Sequence, residues 1–411
     1  MFLSVISRYS LKGSMLKNKI KKKYDIVVVG AGMTGAAIAI GLAKEGWNIL
    51  LLDQSSTLPT SLNIQDEPAL RISAINYTSW ELLRALDISK SVLNFRAVPY
   101  KKLEIWESKN SHVIFEAKSI GFSELGYMIE NDVLQVALLD TCLQYSNLTL
   151  LAPARVIGMT YYNKQWKITL NNNCQVLTNL IIGADGANSQ VRSFAGIKSN
   201  IYQYSQSCML ITVRIEESQQ DIAWQQFFPS GPRAFLPLFG HWASLVWYDT
   251  HLRIKQLQNM SFKELTKEII LSFPPRFKYI EVVKRGFFSL IRHHANSYVQ
   301  DGVVLIGDAA HTINPLAGQG VNLGYRDVAS LLKVLINAEK CLLPYYERAT
   351  LLSYQKNRIL DNVFMQLSMD LIYGIFCSQL PAAKFFRNFF LMSIQRTSFL
   401  KKEIIKYALG L

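Results

Sequence analysis

Residues 24–54 read YDIVVVGAGMTGAAIAIGLAKEGWNILLLDQ, and this stretch decides the fold. Ile26 to Val29 is a short β-branched run of the kind that makes a buried parallel strand. Gly30, Gly32 and Gly35 follow at GxGxxG spacing. The first glycine permits a tight turn, the second lets backbone approach a pyrophosphate, and the third lets a helix sit close on the strand. The helix N-terminus then offers free N–H groups and a partial positive charge to phosphates. Asn48 to Leu52 reads as a second strand, and Asp53 at its end stands where a ribose hydroxyl is held. This strand, turn, helix, strand unit points to dinucleotide binding; a glycine-rich helix packed on a sheet is the plainer alternative. A hydroxyl-binding acid favours FAD or NAD over NADP. Ile26 to Ala43 is uncharged and at the lower edge of a membrane-spanning length, but the glycines argue against a span.

Two further stretches decide for flavin. LIIGADGANSQVR (180–192) is an apolar strand ending in Gly183, Asp185 and Gly186, with Arg192 beyond. GVVLIGDAAHTINPLAGQGVNLGYRD (302–327) is another, ending in Gly307 and Asp308. It runs into a loop with Pro315, Gly318 and Gly320, and a helix is expected from near Asn322. A carboxylate at a strand's C-terminal end can accept a ribityl or ribose hydroxyl, and glycines before a helix let backbone N–H groups reach a pyrimidine ring or phosphate.

In this order and at these separations, the three motifs resemble the aromatic-ring flavoprotein monooxygenases of the p-hydroxybenzoate hydroxylase type. The resemblance covers residues 25–411. It implies an α/β fold: a Rossmann-type FAD-binding domain with an inserted, mostly antiparallel β substrate domain and C-terminal helices. Gly30, Gly32, Gly35 and Asp53 would bind the ADP half of FAD, and the segment at Asp185 would face both FAD and NAD(P)H. Asp308 would bind the ribityl chain, and Pro315 to Leu323, with Gly318, Gly320 and Asn322, would wrap the isoalloxazine ring.

Within that family, RISAIN (71–76), GYMIENDVLQ (126–135), AFLPLFGHWASLVWYD (234–249) and TINPLAGQGVNLGYRD (312–327) look like the ubiquinone-biosynthesis hydroxylases. WQQF (224–227) and the closing KYALGL are most similar to the 3-demethoxyubiquinol 3-hydroxylase branch, which adds the last ring hydroxyl. Relatives usually carry His before the proline of the last motif, where this chain has Asn314. The resemblance makes Arg71 and Gln135 candidate flavin contacts; a surface arginine and a solvent-facing helix glutamine are the alternatives. It implies hydroxylation of a polyprenyl methoxy-methyl benzoquinol by O₂ through a flavin C4a-hydroperoxide, in the bacterial cytoplasm, with peripheral contact at the inner membrane and with other quinone-biosynthesis proteins.

The expected organisation is a basic arm at 1–24, a discontinuous flavin domain at 25–195 and 285–345, a substrate domain at 196–285, and a helical region at 346–411. In the substrate segment CMLITVRI and HWASLVWY read as strands, and FFPSGPRAFLPL as a hairpin. Residues 371–383 are uncharged but too short to span a bilayer. The tail AAKFFRNFFLMSIQRTSFLKKEIIKY (382–407) sets Phe385, Phe386, Phe389, Phe390 and Ile394 beside Lys384, Arg387, Arg396, Lys401, Lys402 and Lys406. That mixture suits a membrane interface, or equally a C-terminal helix packed on the flavin domain with its lysines solvated.

The chain has 411 residues, enough for two domains and a sizeable core. It is half apolar, with 22 Gly and 12 Pro, which excludes wholesale disorder and fibrous folds. The net charge of +14 favours an anionic partner such as a phosphorylated ligand or anionic lipid. Nucleic-acid binding has no motif to support it. Cys142, Cys174, Cys208, Cys341 and Cys377 are scattered and never form CxxC, against a disulfide framework or zinc site. Residues 1–24 carry no acid and end in KNKIKKKY; a presequence, an upstream start before Met15 and a disordered arm are the readings open there.

With a single GxGxxG there is no second dinucleotide domain, so a reductant must visit the flavin's own face, as NAD(P)H does in the family, or another protein must reduce it. His311, beside the flavin loop, is the candidate proton shuttle for the substrate phenol; a structural histidine bonding the loop backbone is the alternative. His293 and His294 would point apart on a strand and make a poor metal pair. Another flavoenzyme of this fold, such as a prenyl reductase or soluble-phenol hydroxylase, is the competing reading. A non-catalytic flavin-bearing subunit of a membrane complex is the second.

Overall fold

The computed structural model describes residues 21–59, 67–108, 111–217, 220–313, 319–378 and 380–411. Most of the basic arm, with Met15, lies outside the described residues, as do Asn314, Pro315 and Gly318.

The β-branched runs of the three motifs become adjacent strands of one sheet. Its order is Val299–Gln300, Val303–Leu305, Gln175–Gly183, Lys23–Val29, Ile49–Leu52 and Leu148–Leu151, parallel except at the first pair. A hairpin of Val156–Tyr162 and Gln165–Leu170 adds to the edge of Gln175–Gly183. Ile26, Val27, Val28, Leu50, Leu51, Ile181 and Ile182 are fully buried. Both faces are covered, since consecutive residues are buried alike, which is why these strands read as continuous apolar runs and not as alternating ones. The helix Met33–Lys44 is buried at every residue from Gly35 to Ala43, lying between the sheet and the helices Asn131–Cys142 and Gln319–Lys340.

A second, mostly antiparallel sheet runs His311–Thr312, Ile280–Ala295, Ser199–Ile215, Trp242–Thr250, Gly231–Pro237, Ile222–Phe228, Lys102–Ser108, Ser111–Glu116. The strands expected from CMLITVRI and HWASLVWY pair along nine positions, and FFPSGPRAFLPL forms the hairpin. The sheet reaches beyond the expected 196–285. Ile222–Phe228 ends in an edge that Lys102–Ser108 pairs in parallel, and Ile280–Ala295 continues without a break across residue 285. Boundaries read from composition cannot see such pairing. Met209, Ile211 and Val213 point into a core closed by the helices His251–Asn259 and Phe262–Ser272. The alternate residues Cys208, Leu210 and Thr212 face the other way. There, opposite Leu210, a Cβ on Gly286 would come within 2.4 Å of Leu70. A three-stranded sheet, Ile72–Asn76, Gly126–Glu130 and Ala97–Tyr100, completes the β structure.

The C-terminal region is helical as expected: Arg348–Cys377, Pro381–Arg396 and Ser398–Leu409. The first is long and apolar enough to cross a membrane, yet its inner face spends Arg358, Asn362, Gln366 and Asp370 on bonds within the fold. Leu391, Ile394, Ile405 and Leu409 join the core around Phe376. Arg387 does not belong among the solvated basic residues. It is buried and paired with Glu107.

Candidate active site

The carboxyl ends of the motif strands are level: Val29 pairs with Leu52 on one side and Gly183 on the other, and Gly183 pairs with Leu305. Ligands of open parallel sheets bind at such an edge. Gly30 has φ +103, and a Cβ there would lie 2.4 Å from the Ala184 carbonyl oxygen. At Gly35 a Cβ would lie 1.8 Å from the Gly30 oxygen. Both positions therefore need glycine for the backbone itself to close. Gly32 differs, since a Cβ there would meet nothing within 4 Å. Its neighbouring space lies at the N-terminus of the helix Met33–Lys44 and is of the kind a pyrophosphate needs.

Asp53 braces this turn, accepting from Ala31 N at 2.7 Å and Ser55 N at 2.8 Å. Each carboxylate oxygen keeps a second lone pair for a hydroxyl. Gln135 does not point to solvent: its Nε2 donates to the Ala31 carbonyl at 3.1 Å, which ties the helix Asn131–Cys142 to the glycine turn.

Asp185 caps the short helix Gln190–Phe194, accepting from Ser189 Oγ at 2.5 Å, Gln190 N at 2.7 Å and Val191 N at 3.1 Å. Its carboxylate shapes the turn that packs against Gly30. Arg192 joins the second motif to the third, donating to the Ala187 carbonyl at 2.8 Å and the Ala309 carbonyl at 2.9 Å. Its role as a bolt between motifs was not visible in the spacing.

Asp308 lies on a 3₁₀ turn, Gly307–Ala309, deep in the molecule, yet its side chain is exposed. Burial pushes its carboxyl upward, and the charges of His311 and Arg71 oppose this. Arg71, itself exposed, thus stands near Asp308. Thr34 closes the gap between the first and third motifs: a Cβ on Gly307 would lie 3.1 Å from its Oγ1.

The helix Gln319–Lys340 holds Asn322 in its first turn. Asn322 is fully buried, with Oδ1 accepting from Asn76 N at 3.0 Å and Nδ2 donating to the Ala74 carbonyl at 2.8 Å. These bonds hold the strand Ile72–Asn76 to the helix. Leu323 packs with Ile313 and Met365, and Gly320 faces open space in the first helical turn.

His311 is 2% exposed, with Nε2 2.6 Å from Asp327 Oδ2. The same oxygen accepts Gly307 N at 3.0 Å, and Arg358 Nε donates to Asp327 Oδ1 at 2.7 Å. Burial disfavours the Asp327 carboxylate, but His311 and Arg358 outweigh it and hold the pKa at about 2. Asp327 closes the motif at 302–327 without a role having been read for it, and Arg358 lies outside every motif. His293 and His294 do diverge: His294 Nδ1 meets Gln366 Oε1 at 2.9 Å, while desolvation, then Arg192, push the His293 pKa down to about 4.

On the second sheet, Thr212 Oγ1, Ser244 Oγ and Tyr248 OH are buried and without hydrogen-bond partners among the described residues. Thr212 and Ser244 are direct cross-strand neighbours, on the face turned toward Leu70 and Arg71.

A profile described as FAD binding domain matches residues 168–358, and one described as FAD dependent oxidoreductase matches 25–61. The chain is 46% identical to the Escherichia coli 3-demethoxyubiquinol 3-hydroxylase, over 94% of this chain and 98% of that protein. It is 30% identical to the Rhodospirillum rubrum ubiquinone hydroxylase UbiL, over 95% of this chain and 90% of the relative. The p-nitrophenol 4-monooxygenase of Pseudomonas putida superposes with a TM-score of 0.76 at 16% identity, covering 95% of this chain and 99% of that one, and so shares the fold. Level strand ends, an open cradle at Gly32 and an exposed Asp308 on the third motif fit FAD, and with these relatives they make the chain a member of the ubiquinone-biosynthesis family of FAD-dependent hydroxylases, flavoprotein monooxygenases of the p-hydroxybenzoate hydroxylase fold.

Proposed function

We propose that this hydroxylase acts on the ring of a polyprenyl methoxy-methyl benzoquinol, the step carried out by its Escherichia coli relative. The 46% identity over nearly the whole of both chains carries this reading. Gly30, Gly32 and Gly35 admit the pyrophosphate of FAD, Asp53 takes the ribose hydroxyls, and Asp308 with Arg71 meets the ribityl side. Gln135, Asp185, Asn322 and Leu323 hold the surrounding backbone, and Gly320 leaves room for the ring system. When bound and reduced, FAD supplies the O₂-derived oxygen that the quinol ring receives. An electron-rich ring needs no strong side-chain nucleophile. The protein's part is to orient the ring and exclude water.

His311, bound to Asp327, keeps the Gly307–His311 turn in place and so positions Asp308. NAD(P)H is the reductant, visiting the flavin's own face. The prenyl tail stays near a membrane. The outer face of Arg348–Cys377 supports this, exposing Leu360, Phe364, Leu367 and Leu371 at helical spacing. So do exposed Phe385, Phe389 and Phe399 beside exposed Lys384, Arg396 and Lys402. We place the enzyme in the bacterial cytoplasm, peripheral on the inner membrane beside other quinone-biosynthesis proteins. Mass spectrometry of quinone intermediates in cells lacking the chain tests the substrate: the demethoxy quinone accumulates, and an unchanged quinone profile would refute the assignment.

A further inference from the structure

The face of the antiparallel sheet that is turned toward Leu70 carries a row of cross-strand neighbours: Gly286, Leu210, Val246, Ala234 and Gln225. Gly286, Leu210 and Val246 stand on interior strands, yet each keeps part of its surface open. Helix and sheet therefore leave a recess over this row. Met369 borders it, packing with the cluster around Tyr248 that takes in Leu210 and Val246, and also with Ile313 and Leu323 beside the third motif. Leu70 closes the Gly286 end, one residue before Arg71. The recess thus adjoins the flavin edge.

Gln225 is out of character with the rest of the row. Trp224 packs with Trp106 and Phe235 on one side of the sheet, Ala223 and Phe227 join the cluster on the other, and Gln225 shares their side by alternation. It is 9% exposed, and its backbone is paired with Ala234 on one side and Ile105 on the other, so the exposed remainder belongs to the side chain. Its amide makes no hydrogen bond among the described residues, whereas that of Gln226 donates to the Glu107 carbonyl at 3.3 Å. Buried amides are ordinarily paired. Thr212 Oγ1, Ser244 Oγ and Tyr248 OH lie on the same face but have no surface open to a ligand. The Gln225 amide is not sealed in this way.

We propose that the Gln225 amide is the polar contact that holds the quinol ring and selects for its methoxy group. One planar amide offers both an acceptor and donors. On a para-quinol every remaining ring position is next to a hydroxyl, so a methoxy oxygen always has one beside it. Oε1 accepts from that hydroxyl, and Nε2 donates to the ether oxygen. Leu210 and Val246 meet the apolar face of the ring. This gives a role to WQQF (224–227), the stretch most similar to the 3-demethoxyubiquinol 3-hydroxylase branch. The identity of the ring rests on the benzoquinol reading; the open amide does not.

The test is calorimetric titration of the FAD-bound full chain, without oxygen, with methoxyhydroquinone and with methylhydroquinone, which lacks the ether oxygen. The wild type prefers the methoxy ring about threefold to tenfold, the worth of one hydrogen bond. Gln225→Leu loses that preference and melts no lower than the wild type, because the amide gives up no bond within the fold. Gln225→Glu, of the same shape, keeps an acceptor but lacks the donor, and it loses the preference too. A preference absent from the wild type, or retained by either variant, overturns the contact. Turnover is read separately. Hydroxylation of a demethoxyquinol by the wild type without a Gln225-dependent preference overturns the contact alone, whereas the preference without hydroxylation upholds the contact and refutes the benzoquinol reading.

Discussion

Asp327 Oδ2 receives the His311 ring nitrogen at 2.6 Å and the Gly307 amide at 3.0 Å, so one buried carboxylate sets both ends of the turn that carries Asp308. Asp327 lies on a helix, Arg358 on another, and the turn at the end of a strand. The pair thus connects the C-terminal helices to the flavin edge. Replacing Asp327 with Asn leaves Arg358 with Asp361 as its one remaining charge partner among the described residues, and a broken buried pair costs about 3–5 kcal/mol. The difference depends on pH. A carboxyl held at about 2 contributes stability that is present above the ordinary carboxylate pKa and lost as pH falls toward 2. The gap between wild type and Asp327→Asn in urea melts is therefore full at pH 7 and narrows below about pH 4.

Asp308→Ala removes an acceptor for a cofactor hydroxyl without opening the core, since the side chain is exposed in the fold. FAD affinity falls about ten- to hundredfold, corresponding to about 1–3 kcal/mol, while the apoprotein's melting temperature holds. Fluorescence titration of the apoprotein with FAD measures it.

Gly32→Val abolishes FAD binding and leaves the fold intact, because the new side chain meets open space and not protein. Gly46→Ala does the opposite. Gly46 follows the helix Met33–Lys44 with φ +95, donating its N–H to Ala43 O at 3.0 Å, and has nothing near its Cβ position. It loses about 1 kcal/mol of stability and keeps its flavin. Flavin absorbance of both variants at matched stability separates the two roles.

These glycines also mark how far the sequence could be read. The glycine turns and the acids at strand ends are local chemistry, legible from spacing, and the strands they follow fell where expected. Asp327 and Arg358 escaped notice because their meaning depends on a contact between residues 31 apart on separate helices. Strand Lys102–Ser108 escaped for the same reason: its alternation is plain, but its partner at Ile222–Phe228 is a tertiary choice. For the C-terminal helices the packing reading holds on one face, and the membrane reading concerns the exposed other one. Leu391, Ile394 and Arg387 face inward, and Phe385, Phe389 and Lys384 face outward.

That division sets the expectation for membrane contact. Changing Lys384, Arg396 and Lys402 to Gln weakens binding to anionic liposomes, since each exposed basic residue near such a surface contributes about 1 kcal/mol. Added salt has the same effect by screening. Melting temperature is unchanged, because none of the three is buried. Flotation across a salt series, beside melting curves, checks both parts.

The most direct test of ring hydroxylation is a single turnover in ¹⁸O₂. The FAD-loaded chain is reduced anaerobically, given a short-chain demethoxybenzoquinol, and mixed with ¹⁸O₂-saturated buffer. A product carrying one ¹⁸O on its ring, formed in proportion to flavin and absent with Gly32→Val, is the predicted result. Reoxidation of the flavin to hydrogen peroxide with no label in the ring would contradict it.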